Sequence, residues 1–204
     1  MKLTFNKVFF TPWVGENYFN GMNGKRILII GESVFCLPPN QCPCYKAIDN
    51  SCNYGFDLVD KVLKGTKVAF FTKIYKILSG NNLLSEKEFW NSISFYEYIQ
   101  QSVGTKPKDR PNGEMWVNAK EPFLEVLEKL NPTFILIAGK SISDAIYSFN
   151  NINSIEKFEG KPFAQFAKLI FLGREIEIVS INHPSAPGFS YNHTDFINSK
   201  YYSQ

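Results

Sequence analysis

The sequence predicts an α/β protein: a three-layer α/β/α sandwich around a mostly parallel central sheet. Three observations carry that expectation. Lys25–Gly31, Thr133–Gly139 and Glu175–Ile181 are short apolar runs bounded by turn residues, the pattern of strands covered on both faces. Segments with helical spacing separate them, and strands alternating with helices argue for parallel pairing. At 204 residues, 44% hydrophobic and 20% charged, the chain suits one domain with its own core.

Along the chain, residues 1–24 form an N-terminal extension that carries Trp13, Gly15 and Tyr18, placed either over a pocket or against the sheet. The first strand follows Asn23-Gly24 and closes at Gly31. Pro38, Pro39 and Pro43 then forbid a helix in the loop that follows. Phe56 to Leu63 has helical spacing, and Gly65 ends it. Lys67 to Lys73 fits either a strand or the start of a helix running to Leu78.

Ser85 with Glu88 predicts a capping box ahead of a helix carrying Phe89 and Trp90. Phe95 to Val103 reads as a strand, followed by a polar loop from Gly104 to Gly113. Glu114 to Leu130 reads as one helix, stopped at Asn131-Pro132. A further helix follows Gly139 and runs through Ile146 to Phe149. No repeat or second-domain linker interrupts the chain, so residues 1–204 are expected to form a single domain.

The formal charge of +3 permits nucleic-acid contact without demanding it. The residues after Met1 form no apolar export segment and no run approaches a membrane span, so a cytoplasmic protein is expected. Aromatic residues make up 16% of the chain, a composition that suits base stacking as well as core filling.

In open α/β sheets ligands bind beyond the carboxyl ends of the strands. Two such exits stand out: Gly31-Glu32-Ser33-Val34-Phe35 after the first strand, and His183-Pro184-Ser185-Ala186-Pro187-Gly188 after the last. With them, the chain from about residue 25 to 190 resembles the uracil-DNA glycosylase superfamily, which has a Gly-led first motif and a His-Pro-Ser second motif. Asp109-Arg110-Pro111 before a helix, then Asn131-Pro132, a strand, Gly139 and another helix, resemble its iron–sulfur branch.

The resemblance implies that His183 donates to the base oxygen that gains charge as the glycosidic bond breaks, a form of oxyanion stabilisation. Glu32 would polarise water or stabilise an oxocarbenium-like sugar; the other reading of this residue is a helix cap or a lysine partner. Gly31, Ser33, Phe35 and Ser185 would contact the substrate. Val34 stands where the family has Pro, Ser33 where the uracil-specialised branch has Asp, and Phe35 where it has Tyr. Glu97, near Gln100 and Gln101, aligns with the base-reading Asn, with Asn91 as a second candidate. An ionised Glu97 accepts without donating and would suit a base edge rich in amino groups, or else be a solvated strand-edge charge.

Cys36, Cys42, Cys44 and Cys52 have the spacing Cys-x5-Cys-x-Cys-x7-Cys within one loop, spanning 36–52, and no other cysteine occurs. Four thiolates suit a structural zinc site, or less readily an iron–sulfur cluster, although cysteine is also a common buried residue. Lys106, Lys108, Arg110 and Lys140 fit either of two readings, contacts to phosphates or a solvated loop, and any single lysine fits the second better.

The expected function is a DNA base-excision N-glycosylase acting on a damaged or modified base, with DNA or a nucleobase as partner. The alternative is a non-catalytic nucleobase- or nucleic-acid-binding module with a structural metal. A third reading is a metal-stabilised protein-interaction module.

Overall fold

A computed structural model describes residues 3–35, 54–79, 84–106, 109–159, 163–187 and 189–201. Fourteen regular elements and one short 3-10 turn are built from them. In order they are β1 (Trp13–Val14), the turn Tyr18–Asn20, β2 (Ile27–Gly31), α1 (Tyr54–Leu63), α2 (Ala69–Ser79), α3 (Glu86–Asn91), β3 (Ser94–Glu97) and α4 (Gly113–Asn118). Then follow α5 (Lys120–Leu130), β4 (Phe134–Ala138), α6 (Lys140–Tyr147), β5 (Ile152–Lys157), β6 (Ala164–Phe171), β7 (Arg174–Ile181) and α7 (Thr194–Tyr201).

All seven strands join one sheet in the order β1-β3-β2-β4-β7-β6-β5. The inner strands β3, β2, β4 and β7 are parallel, while β1, β6 and β5 pair antiparallel. The sheet is therefore mixed, with a parallel centre and antiparallel margins, rather than parallel nearly throughout. The reason lies at Leu172 and Gly173, whose φ values of 49° and 74° make a two-residue hairpin turn. Such a turn can join only antiparallel neighbours.

Residues one apart on a strand face opposite ways, so a continuous apolar strand feeds two cores. Ile27, Ile29, Phe95, Leu136 and Val179 face one side, where α1, α2, α3 and α7 pack. Leu28, Ile30, Tyr96, Ile135, Ile137 and Ile178 face the other, against α5 and α6. Trp90 sits in the first core with its ring edge-on to Phe71 and Phe89.

Local signals set several element ends. Ser85 forms the expected capping box, its Oγ accepting from the Glu88 amide while its own amide donates to Glu88 Oε2. Asn131 takes the left-handed conformation that closes α5, at φ 49°. The expected helix over 114–130 is two helices, divided at Ala119. Pro122 has no N–H to bond the carbonyl of Asn118, so the ladder restarts with Pro122 in the first turn of α5. Lys67 to Lys73 leads into α2 and does not form a strand.

The strand expected over 95–103 ends at Glu97. Beyond it the chain still follows the segment leaving β2: Tyr98, Ile99 and Val103 donate to the carbonyls of Gly31, Glu32 and Val34. The N-terminal segment packs on the sheet. β1 pairs with β3, the Trp13 indole N–H donates to the Trp90 carbonyl at 3.1 Å, and a Cβ on Gly15 would run into the Asn91 backbone. Among the described residues, no helix is long and apolar enough to cross a membrane.

Candidate functional site

The parallel strands β2, β3 and β7 end on the same side of the sheet, and a pocket of about 170 Å³ opens there. Its wall is mainly apolar, with Val34, Leu58, Val68, Phe70, Phe71 and Phe95, and Phe35 completes it while remaining partly exposed. Its titratable lining groups are Glu32, Glu97 and His183. Gly31 and Ser33 line it as well.

Gly31 is paired in register with Glu97 across the β2–β3 ladder. A Cβ at Gly31 would stand 2.5 Å from Glu97 Oε2, so glycine leaves the room that the carboxyl occupies. Glu97 is only 8% exposed, and its Oε2 has no hydrogen-bond partner among the described residues. Burial, reinforced by the neighbouring Glu32 charge, pushes its carboxyl up to about 8, so it holds its proton at neutral pH. The solvated edge charge considered from sequence is therefore a buried acid, set opposite Gly31 in the pocket beside Phe95.

Glu32 follows directly on β2 and is 17% exposed. Burial raises its carboxyl, while Arg110, with Nη1 4.0 Å from Oε1, acts in the opposite sense and favours the carboxylate. The two acids thus differ: the buried one is protonated, and the one beside a cation is the better candidate for the charged form.

His183 follows β7 after one residue, Asn182. Its Nδ1 accepts the Ser185 amide N–H at 3.1 Å, so in the neutral ring the proton sits on Nε2. Burial, then the positive charges of Arg110 and Lys73, lower its pKa and hold it neutral. The Ala186 amide closes the turn by donating to the His183 carbonyl, and Lys73 Nζ donates to the Pro184 carbonyl at 2.6 Å. Lys73 also lies 4.9 Å from the centre of the Phe189 ring, and Phe70 stands 5.2 Å from the imidazole, centre to centre.

Six sequence-derived candidates therefore share one pocket: Gly31, Glu32, Ser33, Phe35, Glu97 and His183. Ser185 is exposed and lies outside the lining; its backbone N–H orients His183 instead. Gln100 is committed elsewhere, accepting from the Phe9 and Phe10 amides and donating to the Glu97 carbonyl. Gln101 is exposed, and Asn91 ends α3, its carbonyl accepting from the Asn17 amide.

Lys106 and Lys140 are exposed, and the loop at 104–109 is shaped by Asp109, whose carboxylate accepts from the Thr105 and Lys106 amides. Cys36, Cys42, Cys44, Cys52, Lys108 and Gly188 lie outside the described residues. Among the described residues, no group of three or more His, Cys, Asp or Glu is arranged to hold a metal ion.

Sequence reasoning missed the pocket's apolar half and the lysine that braces it. Phe70, Phe71 and Lys73 fall where strand and helix patterns were both compatible with the residues. Only the helical reading puts Phe70 against His183 while Lys73, one turn further on, reaches Pro184.

No family model matches the chain, and no curated protein matches it. The class of the protein rests on its own architecture: an α/β fold with a mixed sheet and a pocket at the carboxyl ends of its parallel strands.

Proposed function

We propose that this pocket is a nucleobase site, and that the protein is a divergent uracil-DNA glycosylase-like enzyme that hydrolyses the N-glycosidic bond of a damaged or modified base. The supporting observation is the convergence of Glu32, Glu97 and His183, distant in sequence, on one largely apolar pocket. Its volume, about 170 Å³, lies below the ~300–1,000 Å³ of drug-sized sites and suits a compact heterocycle. The finer fold reading, a three-layer sandwich of that superfamily, is supported by the parallel four-strand centre and by helices on both faces.

In this reading the base is turned out of the stack into the pocket. The bond between the sugar C1′ and the base nitrogen breaks, and its electron pair moves onto the base. His183 Nε2–H donates to the base oxygen where charge collects, and Phe35 and Phe70 flank the ring. The Glu32 carboxylate takes a proton from a water that adds to C1′, leaving an abasic sugar and the free base. Lys106, Arg110 and Lys140 would meet backbone phosphates. Cys36, Cys42, Cys44 and Cys52 would hold a structural zinc, which metal analysis of the purified protein tests directly.

The test of function is a glycosylase assay on single- and double-stranded oligonucleotides carrying uracil, hypoxanthine, xanthine or an alkylated base. Alkali cleavage reports abasic sites. His183→Ala is expected to lower turnover by about 10²–10³-fold, as for loss of one oxyanion donor. Unchanged turnover in that variant removes the assignment of His183. Saturable base binding with no abasic product from any substrate points instead to a non-catalytic binding module.

A further inference from the structure

The nucleobase reading leaves Glu97 without a defined role. Among the described residues it is the most deeply buried polar group of the pocket, and its Oε2, packed against Gly31, has no partner. Gln100, the nearest amide in sequence, bonds the Glu97 backbone carbonyl rather than its carboxyl. A buried polar atom left without a partner costs free energy, and a ligand that supplies one recovers it.

Among the described residues, the surrounding charged and titratable groups leave this carboxyl unpaired. From the loop after β2 comes Glu32, which repels negative charge at Glu97. From the loop before α4 comes Arg110, whose ion pair is with Glu32. From α2 comes Lys73, turned to the Pro184 carbonyl, and from the end of β7 comes His183, held neutral. Tyr96 and Tyr98 flank Glu97 on its own segment, with their phenols kept neutral by burial. Among the described side chains of α1, Leu58 lines the pocket.

We propose that Glu97 reads its ligand as a neutral acid, its O–H donating and its C=O accepting, so that the pocket takes a planar ring with a carbonyl beside a ring N–H. This rests on the nucleobase reading and reverses what an ionised glutamate would choose. A carboxylate offers only acceptors and suits an edge of amino groups; the acid offers one donor and one acceptor, as an amide does. Recognition is then linked to a proton: the competent form is the protonated one, and affinity scales with its fraction.

The experiment is isothermal titration calorimetry on the intact protein with free uracil and free hypoxanthine at pH 6.5 and 8.5. Their ring-N-methylated forms, 3-methyluracil and 1-methylhypoxanthine, are titrated beside them. With the Glu97 carboxyl titrating at about 8, wild-type affinity is expected to fall about fourfold between the two pH values. Repeating the pH 8.5 titration in buffers of different ionisation enthalpy is expected to show uptake of about three quarters of a proton per ligand bound. Glu97→Gln, which keeps a donor and an acceptor, should bind within about threefold of wild type at pH 6.5 and lose the pH dependence. The methylated rings should bind at least about tenfold more weakly to both proteins.

Base binding that strengthens at pH 8.5, or that disappears in Glu97→Gln while wild type binds, overturns the neutral-acid inference and leaves the nucleobase reading standing. No binding of either free base to the folded wild type at either pH overturns the nucleobase reading and this inference with it. The proton-uptake measurement needs no variant, so poor folding of Glu97→Gln does not shelter the proposal.

Discussion

Glu97 and Glu125 are buried to almost the same degree, 8% and 9% exposed, yet they behave as opposites. Glu125, on α5, accepts from the amides of Asn6 and Lys7 and from Lys129 Nζ at 3.1 Å. Burial by itself would raise its carboxyl; the two amide donors and the lysine outweigh that and hold it below the usual range. Glu97, equally hidden from solvent but set deeper in the protein, has an Oε2 without a partner among the described residues and another acid as its neighbour, and its carboxyl rises to about 8. Depth of burial and the donors supplied to a carboxyl decide its charge together. One acid clamps the N-terminal segment to α5, and the other keeps bonding capacity open towards a pocket.

The largest effect that can break this comparison is expected at the clamp. Glu125→Ala leaves two backbone donors without their acceptor and breaks the pair with Lys129, which keeps the Thr4 carbonyl, and should cost about 4 kcal/mol of stability at pH 7 in urea unfolding. A loss below about 1 kcal/mol would mean that the clamp is incidental. Because the folded carboxyl titrates below its unfolded value, its contribution is present above the unfolded pKa and fades as pH falls through the folded one.

Glu97 should show the reverse sign. Its folded pKa is raised, so between about 4.5 and about 8 the native state keeps a proton that the unfolded chain has released, and stability falls as pH rises. Glu97→Gln abolishes that slope and, at about 1.4 kcal/mol per pH unit, should be more stable than wild type by about 4 kcal/mol at pH 8. Thermal melts at pH 5 and pH 8 report it, and a variant with an unaltered slope would refute the assignment.

Gly31→Ala sharpens the comparison without replacing a titratable group. The new methyl meets Glu97 Oε2, and overpacking of this kind costs about 2 kcal/mol. It should also close the pocket to free base, while an equally stable variant with normal binding would show that Glu97 swings aside freely.

The smallest effect is expected at His193, which is fully buried against Phe189 and has both ring nitrogens unpartnered among the described residues. Burial lowers its pKa to about 4, so below about 6.5 the unfolded chain takes up a proton that the native state refuses, and stability falls towards pH 4. His193→Leu should recover about 1 kcal/mol of that loss at pH 4.5, read by comparing urea midpoints at pH 7 and pH 4.5.

Much of the frame was legible in the sequence. The apolar runs mark β2, β4 and β7, Ser85 and Glu88 mark the start of α3, and Asn131-Pro132 marks the end of α5. The strand exits point to Gly31, Glu32 and His183 because a parallel sheet leaves its loops on one side. β5 and β6 escaped because their residues mix polar and apolar with the weak alternation of a sheet margin, and Leu172-Gly173 is not a strong turn signal. The pocket's aromatic wall escaped because Lys67 to Lys73 satisfies two periodicities at once.

The sequence by itself determined the α/β class, the principal strands and the two loops that carry the polar site residues, since those follow from local pattern and strand polarity. It also named Glu97, but as an ionised acid. Only the tertiary structure decided its protonation, the tautomer of His183 and the division between the two buried glutamates. Those properties depend on which donors and charges are packed around each group, and chain folding assembles them from residues distant in sequence.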